Sequence, residues 1–360
     1  MRGGEKCVEA LCEIFPNATL YCLVHVPGSV SLTIEGMPIR TSFIQKLPLA
    51  AKYYRHYLPL FPTAVERFDL SEFDIVISSN HAVAKGVRTK QETLHICYCH
   101  TPMRYIWNLY DEYFGKNAAG VLTRIGARMF VNYLRRWDVR TAKNPRYFIA
   151  NSQNVQARIK RVYDRTADVI YPPVDTSLFQ PSQSSGDYFL IVSAFVPYKR
   201  IDLAINAFNK TGDKLVIIGD GPDDARLRTI ARSNIRFLGP QPDEVLKKHY
   251  AGCIALVFPG EEDFGIVPVE AMASGKPVMA FAKGGALETV IDSPDLRTGI
   301  LFQDQTIDSL IEAIERCKQT PFDPLAIRAH AVTFDREIYK KKMADYVADA
   351  WRKFASSENL

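Results

Sequence analysis

Short apolar runs alternate with amphipathic stretches along almost the whole chain of 360 residues. Apolar runs bounded by turn formers mark strands buried on both faces, and the stretches between them carry helical spacing. This alternation predicts the β-α-β rhythm of a parallel sheet covered by helices on both sides. In the first half, residues 73–78, 94–99 and 147–150 read as strands. Asn151-Ser152 follows the last of them and supplies a cap for a helix beginning near Val155. Residues 118–142 form a long, basic, amphipathic helix, with Val121, Ile125, Phe130, Leu134 and Trp137 recurring along one stripe.

Tyr171-Pro172-Pro173-Val174-Asp175 cannot continue a helix and reads as a stiff connection between domains. A fresh series follows it. Strands are predicted at 188–193, 214–218, 235–238, 254–258 and 278–281, with helices at 201–208 and around 267–273. Beyond Phe334, Tyr339, Met343, Tyr346, Val347, Ala350 and Trp351 form one apolar stripe of a closing helix. The predicted organisation is a first domain over 1–172, a second over 173–335 and a final helix over 336–360 that returns to the first domain. Each half is a doubly wound, Rossmann-like α/β unit.

Composition agrees with two globular domains, since 47% of residues are hydrophobic and 24% charged. The chain start is charged and lacks the apolar run of a signal peptide, and no stretch has the length of a membrane span. Seven scattered cysteines, with Cys97 and Cys99 on one strand face, fit buried reduced thiols. The net charge of +5 hides an asymmetry: the chain up to Pro172 carries +9 and the remainder −4. Only the basic half is therefore expected to meet an anionic partner.

The chemistry concentrates in Pro259-Gly260-Glu261-Glu262-Asp263-Phe264-Gly265-Ile266-Val267-Pro268-Val269-Glu270-Ala271-Met272-Ala273-Ser274-Gly275. A strand ends at Phe258, a loop carries Glu262, and Gly265 leads into a helix that bears Glu270. The free N–H groups at such a helix start favour a phosphate, and two flanking carboxylates accept hydrogen bonds from hydroxyls. Lys283-Gly284-Gly285-Ala286-Leu287-Glu288 is a second candidate phosphate cradle on the same sheet edge, and Pro197-Tyr198-Lys199-Arg200 adds two cations. In the first half, His100 directly follows a strand, where open α/β sheets place ligands. Arg2-Gly3-Gly4-Glu5 is another glycine pair entering a helix.

These strings resemble retaining glycosyltransferase family 4, whose signature is a Glu, seven residues, and a second Glu followed by Ala-Met-Ala-x-Gly. The likeness covers nearly the whole chain. His100-Thr101-Pro102-Met103-Arg104-Tyr105-Ile106-Trp107 and Gly284-Gly285-Ala286-Leu287-Glu288 resemble the branch of bacterial O-antigen and exopolysaccharide mannosyltransferases. The resemblance implies the GT-B fold, two Rossmann-like domains facing a cleft. It implies that Glu262 binds donor-sugar hydroxyls, Glu270 the ribose and Lys199 the diphosphate. Phe264, Gly265 and Ile266 offer backbone N–H groups, while Gly219 and the turn bearing Gly239, Gln241 and Asp243 hold the nucleotide. His100 serves the reaction centre, and Gly3, Gly4 and Arg104 the acceptor. The implied reaction transfers a hexose, mannose from GDP-mannose by branch or a sugar from a UDP donor, with retention and without a metal or other cofactor. No Asp-x-Asp pair is present to hold one. The implied acceptor is a lipid-linked glycan, with no nucleic-acid partner. The expected location is the cytoplasm, with Arg124, Arg128, Arg135 and Arg136 toward the anionic inner face of the plasma membrane.

Two departures stand out. The family carries Arg five residues before the Lys, where this chain has Ala194, so Arg200 is expected to substitute. The family also has a strand before the first glycine pair, where only Met1 and Arg2 stand. Met1 is therefore expected to be an internal methionine, with about 10–15 further residues upstream. A first half lacking that strand should have a gap in its sheet or a re-paired ladder. The rivals are weaker. An NAD-dependent oxidoreductase needs a third glycine, and Gly219-Asp220-Gly221 continues as Pro222-Asp223-Asp224. A nucleotide-binding scaffold without catalysis has Ala194 in its favour, and His100, Glu262 and Glu270 against it.

Overall fold

The computed structural model describes residues 3–107, 121–181 and 186–358, with the side chains of 121–128 outside the description. Two compact units emerge: Met1–Tyr171 together with Lys340–Leu360, and Pro172–Tyr339. The closing helix runs over Arg336–Glu358, and Tyr339, Met343, Val347, Ala350 and Phe354 are buried along it. Among the described residues no helix is long and apolar enough to cross a membrane.

In the first unit the helix Gly3–Ile14 precedes β1 (Leu20–Cys22) and β2 (Ile39–Thr41), which pair in parallel. β3 (Ile75–Asn80), β4 (Leu94–Cys99), β5 (Tyr147–Ala150) and β6 (Asp168–Val169) form a separate four-stranded parallel sheet in that order. β4 is buried at every position, which explains its unbroken run with Cys97 and Cys99 on one face. No described strand joins β1 to β3, so the described strands of this unit form two separate ladders. Ser152, not Asn151, caps the helix Gln153–Tyr163, its hydroxyl accepting the N–H of Val155 at 3.1 Å.

The long helix of this unit runs over Val121–Thr141 and packs Val131, Leu134 and Trp137 into a core with Phe61, Val65 and Met103. Under it lies a fully buried ion pair. Lys85 Nζ donates to Asp138 Oδ1 at 2.6 Å and to Thr141 Oγ1 at 3.1 Å. Trp107 Nε1 and Tyr163 Oη donate to Asp138 Oδ2 at 2.8 and 2.9 Å, and the ammonium lies 5.0 Å from the Tyr163 ring centre. Both carboxylate oxygens are thus hydrogen-bonded, which is the condition under which a buried charge is tolerated.

The second unit is one six-stranded parallel sheet. Its strands are β7 (Tyr188–Val192), β8 (Lys214–Ile218), β9 (Ile235–Gly239), β10 (Leu256–Phe258), β11 (Val278–Phe281) and β12 (Gly299–Phe302). Their order is β12-β11-β10-β7-β8-β9. The chain winds outward from β7 to β9, then returns to place β10 on the other side of β7. That reversal is a topological switch point, where open parallel sheets leave a crevice beyond the strand ends. The core below it is built from Phe189, Ile191, Phe208, Leu215, Ile217 and Ile314.

Removing one partner of the buried pair should be severe, because the other charge stays buried. Asp138→Ala is expected to cost about 3–5 kcal/mol. Urea unfolding followed by tryptophan emission checks this, since Trp107, Trp137 and Trp351 all belong to the first unit. A midpoint equal to that of the unsubstituted chain would overturn the assignment.

Candidate functional site

All strands of the second sheet run parallel, so the loops leaving their C-terminal ends gather on one edge. After β7, Phe195 is fully buried and its N–H donates to Asp220 O at 2.6 Å, joining this loop to the one after β8. A Cβ on Gly219 would meet Ser193 O at 1.9 Å, and one on Gly221 would meet Phe195 O at 2.4 Å. The glycines after β8 are therefore required by packing. Gly219 N donates to Gly239 O at 3.1 Å, which brings the predicted nucleotide turn beside it. Within that turn Gln241 Nε2 donates to Leu238 O at 2.7 Å, and Asp243 opens the helix Asp243–Gly252.

At the switch point the loops after β7 and β10 meet. Gly260 allows it, because a Cβ there would lie 2.8 Å from Lys199 Cα. Lys199, in the turn Pro197–Lys199, forms an ion pair with the Glu262 carboxylate, and both side chains are mostly buried. Arg200 adopts a left-handed backbone, φ 52°, at the cap of the helix Ile201–Thr211. Its Nε donates to Asp202 Oδ1 at 3.3 Å, so the two neighbouring cations go to different carboxylates. Ala194 lies exposed in the loop beyond β7.

Gly265, φ 92°, caps the helix Ile266–Ala273, a conformation that favours glycine. Phe264 is buried with its ring against Phe334, so the side chain anchors the loop. Glu270 lies on this helix, and its Oε2 accepts the Tyr250 hydroxyl at 2.8 Å. The glycine pair after β11, expected as a phosphate cradle, packs against the Glu262 loop. Gly285 N donates to Glu262 O at 2.9 Å, and a Cβ on Gly285 would stand 2.3 Å from Phe264 Cα. The pair buttresses the Glu262 loop and leads into the four-residue helix Ala286–Thr289. Lys283 Nζ pairs with Glu261 Oε2 at 3.1 Å beside it.

In the first unit His100 follows β4, and its Nε2 lies 2.8 Å from Ser79 Oγ on the neighbouring β3. A Cβ on Gly4 would come within 3.8 Å of the same Nε2, so the helix start bearing Gly3 and Gly4 reaches the imidazole. Thr101 accepts Arg158 Nη1 at 2.7 Å, which fixes the loop, and Arg104 opens the short helix Arg104–Trp107. Ser79 escaped the sequence reading; its only signal was a polar end, Ser78-Ser79-Asn80, on an otherwise apolar strand. Burial, then the charge of His81, lowers the His100 pKa to about 3, so the ring is neutral near pH 7. Of the four arginines expected to face anionic lipid, Arg136 is exposed, whereas Arg135 turns inward and donates to Ile106 O at 2.8 Å. The side chains of Arg124 and Arg128 lie outside the described residues.

Residues 1–178 match the family model "Glycosyltransferase Family 4", and residues 177–331 match "Glycosyl transferases group 1". The chain is a glycosyltransferase family 4-like protein of the GT-B fold. This family 4-like chain is 30% identical over 207 residues to an uncharacterized glycosyltransferase of Methanocaldococcus jannaschii, covering 56% of the chain and 55% of the relative. It is 27% identical over 241 residues to a D-inositol 3-phosphate glycosyltransferase of Mycolicibacterium paratuberculosis, covering 59% and 52%. The chain thus spans about half the length of the curated relatives it matches. Its fold is that of Anabaena HepE solved with UDP and glucose, with a TM-score of 0.70, 19% identity and 96% of each chain covered. Sucrose-phosphate synthase from Thermosynechococcus elongatus shares the fold at 0.66 and 18%, covering 97% of this chain and 92% of that one.

The neutral imidazoles of this family 4-like chain have a pH signature. His95, inside β4, is 1% exposed, and burial followed by the charge of Lys85 lowers its pKa to about 3 as well. Both folded pKa values lie below the unfolded value of about 6.5. Their contribution to stability is therefore complete above about pH 6.5 and is lost as pH falls toward about 3. Melting temperatures measured between pH 7 and pH 4 should fall, and His95→Gln or His100→Gln should each flatten the slope. A slope unchanged in both variants would show that neither ring is held neutral.

Proposed function

We propose that this chain is a hexosyltransferase that moves a sugar from a nucleotide diphosphate donor, with retention of anomeric configuration and without a metal. The observation that carries the reading is the Lys199–Glu262 ion pair at the switch point, with Glu270 on the adjoining helix. In the free protein Lys199 neutralises Glu262. A donor diphosphate brings more negative charge, draws the ammonium to itself and releases Glu262 to accept sugar hydroxyls. Glu270 accepts hydroxyls of the ribose, and the N–H groups of Phe264, Gly265 and Ile266 face sugar and phosphate. Gly219, Gly239, Gln241 and Asp243 border the base.

The reacting carbon gains positive character while the C1–O bond to the diphosphate breaks. Lys199 and the helix start stabilise the departing charge more than the ground state, which is the condition for rate acceleration. The acceptor hydroxyl attacks from the same face, and its proton passes to the leaving diphosphate. Neutral His100, oriented by Ser79, serves the sugar as a hydrogen-bonding group, with Gly3, Gly4 and Arg104 on the acceptor side. Arg200, paired with Asp202 in the free protein, is the neighbouring cation that takes the place Ala194 leaves open.

The donor favoured by branch resemblance is GDP-mannose. A UDP-sugar is the second reading, supported by the UDP-glucose solved with Anabaena HepE at a TM-score of 0.68. Thermal shift against GDP, UDP and ADP separates them: GDP should raise the melting temperature most. Turnover of the preferred donor should persist in EDTA, and activity lost to chelator but restored by magnesium or manganese would overturn the metal-free mechanism.

The acceptor is a lipid-linked glycan, and the first unit meets anionic lipid in the cytoplasm at the inner face of the membrane. No acid stands between Glu35 and Glu66, while Arg40, Lys46, Lys52 and Arg55 do. In this segment Leu49 is 70% exposed and Tyr53 41%, and Lys52 and Arg55 each lie over a tyrosine ring. Exposed aromatics beside cations suit a bilayer interface, and each cation contributes about 1 kcal/mol near an anionic surface. The chain should co-float with vesicles containing phosphatidylglycerol and not with pure phosphatidylcholine. Lys52→Gln with Arg55→Gln should weaken that binding about 10- to 30-fold by the same figure. Equal binding to both vesicle types would overturn the reading.

A further inference from the structure

Tyr250 is fully buried, yet it carries a hydroxyl that a phenylalanine would not. Its ring packs edge-on against Phe179, with centroids 5.6 Å apart, a contact that phenylalanine would make equally well. What the hydroxyl adds is one directed bond, to Glu270 Oε2 at 2.8 Å. The two residues come from different helices, Asp243–Gly252 and Ile266–Ala273, and the bond joins them across the interior of the second unit. A carboxylate has about four acceptor positions, so one donor fixes its rotation and leaves capacity for a ligand. Hydrogen bonds to ionised groups are strongly directional, and recognition of a hydroxyl depends on the carboxylate being held in one orientation.

We infer that Tyr250 is a positioning residue that orients Glu270 and thereby sets the preference of this site for a ribonucleotide over a deoxyribonucleotide. The inference rests on the reading in which Glu270 accepts the ribose hydroxyls, and it extends that reading to a residue outside every motif of the sequence. Burial and the neighbouring Glu270 charge raise the Tyr250 pKa well above its ordinary value. The phenol therefore remains a donor across the physiological range. Tyr250 touches no substrate in this scheme; it acts through the carboxylate alone.

The test is calorimetric binding of GDP and UDP against their 2′-deoxy and 3′-deoxy forms, with Tyr250→Phe as the variant. Phenylalanine keeps the ring and its packing, and an unchanged far-ultraviolet spectrum and melting curve check the fold. The unsubstituted chain should bind the ribonucleotide about 10-fold or more tighter than one deoxy form, the scale of a hydrogen bond to a charged group. In Tyr250→Phe the ribonucleotide should weaken about 3- to 10-fold while the deoxy form changes less than about twofold, so the ratio shrinks. Adding Tyr250→Phe to Glu270→Gln should then produce no further loss, the signature of a residue acting through its neighbour. A discrimination ratio that survives intact in Tyr250→Phe overturns the inference and leaves the role of Glu270 standing. Equal affinity of the unsubstituted chain for ribo and deoxy forms, with Glu270→Gln also silent, overturns both together.

Discussion

Contact of backbone with backbone along one edge of the second sheet is the constraint on which the site depends. Adjacent parallel strands are only about 4.8 Å apart, so loops that leave β7, β10 and β11 at the same edge have no room for side chains between them. Gly260, Gly284 and Gly285 stand where a Cβ would lie within 2.3–2.8 Å of the neighbouring backbone. Their lack of a side chain lets the Gly285 N–H reach the Glu262 carbonyl and hold the acidic loop from behind. The Glu262 carboxylate is then presented forward, onto Lys199. Because the strand order reverses between β7 and β10, this is also where the sheet edge opens into a crevice.

Two lysine–carboxylate pairs, Lys85–Asp138 and Lys199–Glu262, illustrate how burial assigns a role. Lys85 and Asp138 are wholly enclosed, and Thr141, Trp107 and Tyr163 add hydrogen bonds to them. Such a pair is difficult to separate and serves the architecture of the first unit. Lys199 and Glu262 keep contact with water, with side-chain exposures of 19% and 17%. A pair that solvent still reaches is separated at less cost than one sealed in the core.

Histidine shows the same dependence on position. His95 and His100 lie five residues apart around the end of β4, each beside a serine of β3. His95 sits within the strand and is sealed from solvent, so its imidazole is part of the core. His100 lies one residue beyond the strand, where the pleat no longer dictates its direction, and it faces the helix start at Gly4. One step along the chain separates a packing residue from a candidate for chemistry.

The alternation of apolar runs determined the α/β class, the break at Pro172-Pro173 and most strand positions, because burial on two faces demands an unbroken apolar run whatever its partners. The Glu262–Glu270 segment was legible for a similar reason: a loop, a glycine and a helix start are local in sequence, so their geometry follows from nearest neighbours. Strand order is not local. Only the folded sheet put β10 beside β7 and brought Lys199 onto Glu262. It also set the Gly284-Gly285 pair against the Glu262 loop as a buttress, and revealed Ser79 and Tyr250 as partners of His100 and Glu270. Those pairings join residues 20 or more positions apart, and a hydrogen bond across such a separation leaves no periodicity or spacing in the chain for a reader to find.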